Sequence, residues 1–221
     1  MKFSFTSEQE EFRSILRRFL EGKSPTKEVR RLMETESGWE RDAWKKINQE
    51  IGLTAVAIPE AYGGQGFGCS ELCIVLEEAG RTVLCAPLFA STFAAYAILD
   101  AGDEAQKKAL LPGIAAGETV ATVAFTEESG NWDPESVRMT ATASGGGYKL
   151  DGVKSFVLDG HTADLVVVLA RTAQGLSLFT VRGDAAGLQR KLLKTIDTTR
   201  KLAKLSFKSV DATPLGPVGG A

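Results

Sequence analysis

The hydrophobic period of this chain changes once, just after Gly117. Before that point, apolar residues recur every three or four positions, the spacing of one helix face. After it they fall in short runs rich in branched and aromatic residues, the pattern of strands. A chain that is helical first and stranded second is not an alternating α/β sheet, in which the two types interleave. The switch predicts a multidomain α+β fold: an all-α helical domain over residues 1–117, then an antiparallel β-barrel or sandwich over residues 118–221.

In the first half, Thr6 and Ser7 stand in capping-box register with Gln9 and Glu10. Phe12, Ile15, Leu16, Phe19 and Leu20 then share a face, leaving Arg13, Arg17 and Arg18 to solvent. Further helices are expected over residues 25–33, 40–50 (with Trp44, Ile47 and Ile51 on its stripe), 70–80 and 86–99. A last one is capped by Asp103 and ended by Pro112-Gly113. In the second half, strands are expected over residues 119–125, 137–143, 148–150, 154–158, 165–170, 177–181 and 202–207. The turn signals between them include Ser144-Gly-Gly-Gly147, Asp151-Gly152, Asp159-Gly160, Gln174-Gly175 and Gly183-Asp184.

Composition removes several classes. With 221 residues, 43% of them hydrophobic, the chain can bury a core without staples. A net charge of -2 gives no electrostatic reason for nucleic acid as a partner. Three cysteines, Cys69, Cys73 and Cys85, are an odd count and read as small buried hydrophobes, not a disulfide framework or a metal site. The start runs from Met1 straight into Glu8 and Glu10, without the basic-then-apolar order of a signal peptide. The uncharged stretch from Val83 to Leu99 contains Pro87, Ser91, Thr92 and Tyr96, so a buried helix is expected there and no membrane span. These features together predict a soluble cytoplasmic protein.

Four segments carry polar or glycine-rich patterns worth weighing. Pro59-Glu-Ala-Tyr-Gly-Gly-Gln-Gly-Phe-Gly68 lacks the third glycine of a dinucleotide fingerprint, because position 69 is Cys69. It reads as a tight loop whose glycines allow positive φ and close packing. His161 follows a turn and has no nucleophile motif to serve, so it reads as a surface-loop histidine. The run Arg190, Lys191, Lys194, Arg200, Lys201 and Lys204 could meet a phosphate-bearing ligand or an acidic neighbour, but reads first as a solvated strand edge. Phe125 to Asp133 closes the first strand with a hydroxyl, a glycine and amides, which suits a polar ligand edge.

Several short segments also follow one another in a set order: Phe5-Thr-Ser-Glu-Gln9, Pro59-Glu-Ala-Tyr-Gly-Gly-Gln-Gly66, Glu77-Glu-Ala-Gly-Arg81, Leu111-Pro-Gly-Ile-Ala-Ala-Gly117, Thr126-Glu127, Gly152-Val-Lys154, Ala163-Asp164 and Asp197-Thr-Thr-Arg200. Each is weak alone; together they span the chain, which resembles the acyl-CoA dehydrogenase family of flavoproteins. The resemblance implies a helical domain, a middle β-barrel and a C-terminal four-helix bundle. The sequence reaches Gly216-Pro-Val-Gly-Gly-Ala221 where that bundle would begin. It implies FAD as cofactor and an acyl-CoA as substrate, a glutamate taking the α-proton while the flavin accepts the β-hydride. It further implies a homologous acyl-CoA dehydrogenase subunit and an electron-transfer flavoprotein or similar acceptor as partners. The family's glutamate comes from the bundle, so no catalytic residue is expected among these positions, and the chain is not expected to catalyse alone.

By the same resemblance, cofactor contacts are expected at Phe125, Thr126, Asn131, Trp132, Phe156, Val157 and Leu158. Two departures stand out. Asn131 and Trp132 replace a Gly-Ser pair that approaches flavin phosphate and substrate, and a Trp there would crowd the site. Phe156-Val-Leu158 replaces W-I-T along the flavin ring, and a leucine at the third place removes a hydroxyl hydrogen bond, a loss of about 1–1.5 kcal/mol. Two assignments fit: a diverged, competent dehydrogenase cut at a domain boundary, or the non-catalytic subunit of a heteromeric one. The second resembles actinobacterial steroid-degrading members of the family, to which Asp197-x-Thr-Arg200 and residues 81–92 are similar. A scaffold or binding subunit without flavin is the alternative from another class.

Overall fold

The structure, a computed structural model, describes residues 4–221; Met1–Phe3, which open the acidic start weighed above, lie outside the described residues. Six helices come first: α1 (Ser7–Lys23), α2 (Thr26–Met33), α3 (Arg41–Ile51), α4 (Cys69–Arg81), α5 (Leu88–Ala101) and α6 (Glu104–Ala115). Seven strands follow: β1 (Ala121–Ala124), β2 (Thr140–Ser144), β3 (Gly147–Leu158), β4 (Leu165–Thr172), β5 (Gly175–Arg182), β6 (Leu188–Leu192) and β7 (Leu202–Leu215). Strands β2, β3, β7, β5 and β4 close into a barrel, with β1 added on β4 and β6 on β7. The long pairings are antiparallel, whereas β1 and a single bridge of β2 run parallel to β4.

Helix starts follow local chemistry. Thr6 and Asp103 each complete a capping box, with Gln9 and Gln106. The helical core gathers Leu16, Leu20, Trp44, Ile47, Leu53, Ile74 and Val75, and the barrel core Leu150, Val157, Val168, Phe179, Leu205 and Val210. A third cluster packs Ile98, Leu111 and Ile114 of α5 and α6 against Leu165, Val167 and Leu215 of the barrel. The two halves therefore share a hydrophobic seam.

Several expectations are corrected. Asp151-Gly152 is no turn: β3 runs through it as one strand, with a bulge where the register to β7 slips. Gly152 takes φ 143° there, while the Asp151 carboxylate accepts from the Ser209 N–H. Pro112 does not end α6; it sits in the last turn, and Gly117 in the left-handed region provides the stop. Ile15 is 43% exposed, because the buried stripe of α1 narrows to Leu16 and Leu20. Cys69 and Cys73 open α4 on its exposed side, so only Cys85 is a buried cysteine. His161 is half-buried between the halves, its Nε2 2.9 Å from the Glu36 carbonyl. The expected strand 119–125 shortens to four residues.

The basic run is only partly a solvated edge. Arg190 donates to the Ala163 carbonyl, Arg200 to Leu84 and Lys201 to Met33, so three of its cations bridge to backbone elsewhere. The uncharged stretch forms α5, whose inner face is buried, but Phe89 and Phe93 point outward at 53% and 41% exposure. Among the described residues no helix is long and apolar enough to cross a membrane.

Candidate functional site

The two segments singled out along β1 and β3 lie side by side. The Thr122 hydroxyl donates to the Leu158 carbonyl at 2.6 Å, and the Ser155 N–H to the Thr126 carbonyl at 2.9 Å. Between them a fully buried lysine sets the depth of the loop: Lys154 Nζ reaches the Phe125 carbonyl at 3.0 Å and Glu127 Oε1 at 3.1 Å. Glu127 also accepts from the N–H groups of Arg138 and Met139. Burial alone would raise the Glu127 carboxyl, but those amides and Lys154 outweigh it and hold the group below its usual range. Burial pushes the lysine down, with Glu127 opposing. An ion pair so enclosed fixes geometry more than it stabilises.

On this frame the exposed face is aromatic. Phe156 is 49% exposed and adopts φ 59°, a left-handed conformation costly for a bulky residue, at the second slip of β3 against β7. Phe125 is half-buried and meets Trp132 edge-on at 5.3 Å and Phe93 edge-on at 6.0 Å; Phe93 in turn lies 6.3 Å from Phe89. Trp132, 76% exposed, stands outside on Phe125. Asn131 folds onto its own loop, its side-chain oxygen accepting from the Asp133 N–H. Thr126 is buried beneath the face, and Val157 points into the barrel core. Leu158 points the other way, into a cavity of about 250 Å³ lined by Leu76, Leu84, Leu88, Phe89 and Arg200, with small residues of α4 between. Among the described residues no carboxylate lines it.

Seven expected residues thus fall into three groups. Phe125 and Trp132 meet edge-on and Phe156 is exposed on the adjacent strand; Leu158 belongs to the cavity; Thr126, Val157 and Asn131 shape the backbone between. Sequence reasoning missed Phe89 and Phe93, although their i, i+4 spacing was a signal for a shared exposed face. It also missed Asp159, a buried carboxyl directly after Leu158. Burial pushes this carboxyl up to about 7, with Arg200 pulling it back.

The geometry suits a flat ring ligand. An exposed aromatic on a strained bulge, a neighbouring apolar cavity and a loop held by a buried ion pair fit the ring of a flavin. The polar end fits less closely, since the loop spends the Asn131 and Asp133 amides on its own side chains.

Comparison with known proteins agrees with the architecture. Residues 6–118 match the family model "Acyl-CoA dehydrogenase, N-terminal domain", and residues 122–210 match "Acyl-CoA dehydrogenase, middle domain". The chain is 30% identical to the long-chain specific mitochondrial acyl-CoA dehydrogenase of Sus scrofa over 96% of its own length and 49% of the relative's. It superimposes on a solved steroid acyl-CoA dehydrogenase, Tcur3481-Tcur3483 G363A, with TM-score 0.85 and 32% identity over 96% of this chain and 58% of that one. The ChsE4-ChsE5 complex of Mycobacterium tuberculosis gives TM-score 0.87 and 25% identity over 99% and 59%. The chain spans about half the length of the curated relatives it matches. With both domain models in order along it and the same fold in solved relatives, this chain belongs to the acyl-CoA dehydrogenase family.

Proposed function

We propose that this chain is the flavin-facing and acyl-facing half of an acyl-CoA dehydrogenase, acting as a subunit with a homologous acyl-CoA dehydrogenase chain. The observation that carries the reading is the junction at residues 156–158: an open aromatic face on one side and an apolar cavity on the other. Phe156 would stack on the ring of FAD, with Phe125 and Trp132 bordering it, Thr126 and the Val157 backbone beneath it and Asn131 at its polar end. The FAD supplies a hydride acceptor. Leu158 and Phe89 would exclude water from the acyl chain and hold it against the ring. Among the described residues no carboxylate lines the cavity, which supports a base for the α-proton supplied by another part of the protein or by the partner. The resemblance to steroid-acting relatives favours a bulky acyl group, with electrons leaving to an electron-transfer flavoprotein or similar acceptor and the whole working in the cytoplasm.

FAD titration of the chain, alone and co-expressed with a homologous subunit, tests this by flavin fluorescence and absorbance. Phe156→Ala is expected to weaken FAD binding roughly two- to tenfold, the worth of one aromatic contact. Leu158→Thr is expected to strengthen it by up to roughly tenfold through a new hydroxyl hydrogen bond. A colourless complex indifferent to both substitutions sinks the proposal and favours a flavin-free scaffold. Trp132, standing 76% exposed, is the observation on that side.

A further inference from the structure

Among the described residues the cavity wall holds one charged side chain, Arg200, and its hydrogen bonds go to backbone carbonyls. Its Nη2 crosses to the helical half and donates to the Leu84 carbonyl at 2.7 Å; its Nη1 donates to the Thr199 carbonyl at 3.3 Å. The complementary group sits on the adjoining turn. Asp159 follows Leu158 and is 8% exposed, and the hydrogen bonds that hold it run through its backbone. The backbone of Asp159 cannot shift freely: its N–H donates to the Lys201 carbonyl at 2.9 Å, and its carbonyl accepts from Thr162 and Ala163, each at 3.0 Å. That first bond ties the turn carrying Asp159 to the turn carrying Arg200.

We propose that Asp159 is a positioning residue which, when ionised, draws Arg200 off the Leu84 carbonyl and so resets the shape and charge of the cavity wall. The other charged groups of these turns are otherwise engaged. Asp197 accepts from the Thr199 hydroxyl at 2.6 Å and its N–H at 2.9 Å, Lys201 Nζ donates to Met33 at 2.8 Å, and His161 faces the Glu36 carbonyl. The Cys85 thiol, also near Arg200, is pushed up by burial and stays neutral. Arg200 is therefore the charge that acts on Asp159, and burial leaves that carboxyl divided between its two forms near neutral pH.

The chemistry gives a direction. With Asp159 protonated, Arg200 is a lone cation in an apolar wall, and a ligand entering the cavity must strip its water. With Asp159 ionised, the two charges compensate, and the drier wall strengthens their attraction. An apolar chain then binds more tightly above neutrality. This second step rests on the cavity being an acyl site, as proposed above; the first step does not.

Two readouts separate these. The guanidinium NMR signals of Arg200, followed in the 221-residue chain between pH 5.5 and 8.5 (roughly one and a half units either side of 7), report its position directly. They are expected to step with a midpoint near 7 and to lose the step in Asp159→Asn, while His161→Gln keeps it. Octanoyl-CoA binding by calorimetry is expected to be roughly three- to tenfold tighter at the high end than at the low end, and flat in Asp159→Asn. A flat Arg200 signal, a step that survives Asp159→Asn, or octanoyl-CoA bound with equal affinity at both ends overturns the inference. A step in Arg200 with no octanoyl-CoA bound at either end supports the positioning role and refutes the acyl-CoA reading instead.

Discussion

Residues that carry the family motifs here are mostly structural ties. Glu78 of Glu77-Glu-Ala-Gly-Arg81 is 1% exposed; Arg17 grips it through two hydrogen bonds and Arg13 adds a third, and these keep its carboxyl below the usual range against burial. Asp164 of Ala163-Asp164 takes Arg41 in a two-pronged bond, both distances 2.9 Å, and also the Val120 N–H. Asp159 belongs to no motif and behaves differently. Its folded-state pKa lies near 7, above the usual carboxylate value near 3.9, so the neutral form favours the fold. That stabilisation is full below about pH 4 and is lost as pH rises through 7. Asp159→Asn is expected to flatten this dependence and to stabilise the protein at pH 8, with a ceiling of about 4 kcal/mol, measured by urea unfolding across pH. Asn also tolerates the left-handed backbone at this position (φ 49°) better than most residues.

At the scale of elements, the glycine-rich segment shows how much a motif can say before its role is known. Its reading as a tight loop rests on Gly63 and Gly66, at φ 80° and 69°, and on Gly64, whose missing Cβ lets the chain pass the Ile58 carbonyl. The Gly66 N–H donates to that carbonyl at 2.9 Å, and Tyr62 closes the other side on Glu104. Gly64→Ala is expected to cost about 2–4 kcal/mol in thermal unfolding, since the clash is with backbone and cannot be relieved by a rotamer. The β3 bulges were illegible for the opposite reason. Asp151-Gly152 is a strong local turn signal, yet the fourteen-residue β7 opposite supplies enough ladder to carry the strand through, so pairing overrode propensity. Likewise Cys69 and Cys73 lie on the side of α4 away from the core, which helical spacing alone does not orient.

Taken whole, the molecule is held across its two halves by more than packing. Trp39 donates to the Thr162 hydroxyl at 3.2 Å, Lys201 to Met33, Arg200 to Leu84, and Gln106 bonds the Pro214 carbonyl and the Gly216 N–H. With Ile98, Leu111 and Ile114 buried against Leu165, Val167 and Leu215, each half covers apolar surface that the other would leave to solvent. Far-UV circular dichroism and tryptophan fluorescence are therefore expected to report one coincident unfolding transition; two separated midpoints count against the shared seam.

The sequence by itself determined the order of helices and strands, the caps, the tight glycine loop and the family, because these depend on neighbours within a few positions. Tertiary structure alone decided that β3 passes through its turn signal and that Phe89 and Phe93 face outward beside Phe125. It also decided that Asp159 and Arg200, 41 positions apart, come onto adjoining turns, with Arg200 lining the cavity. Burial and charge pairing depend on which segments the barrel and the helices bring together, and no local spacing records that.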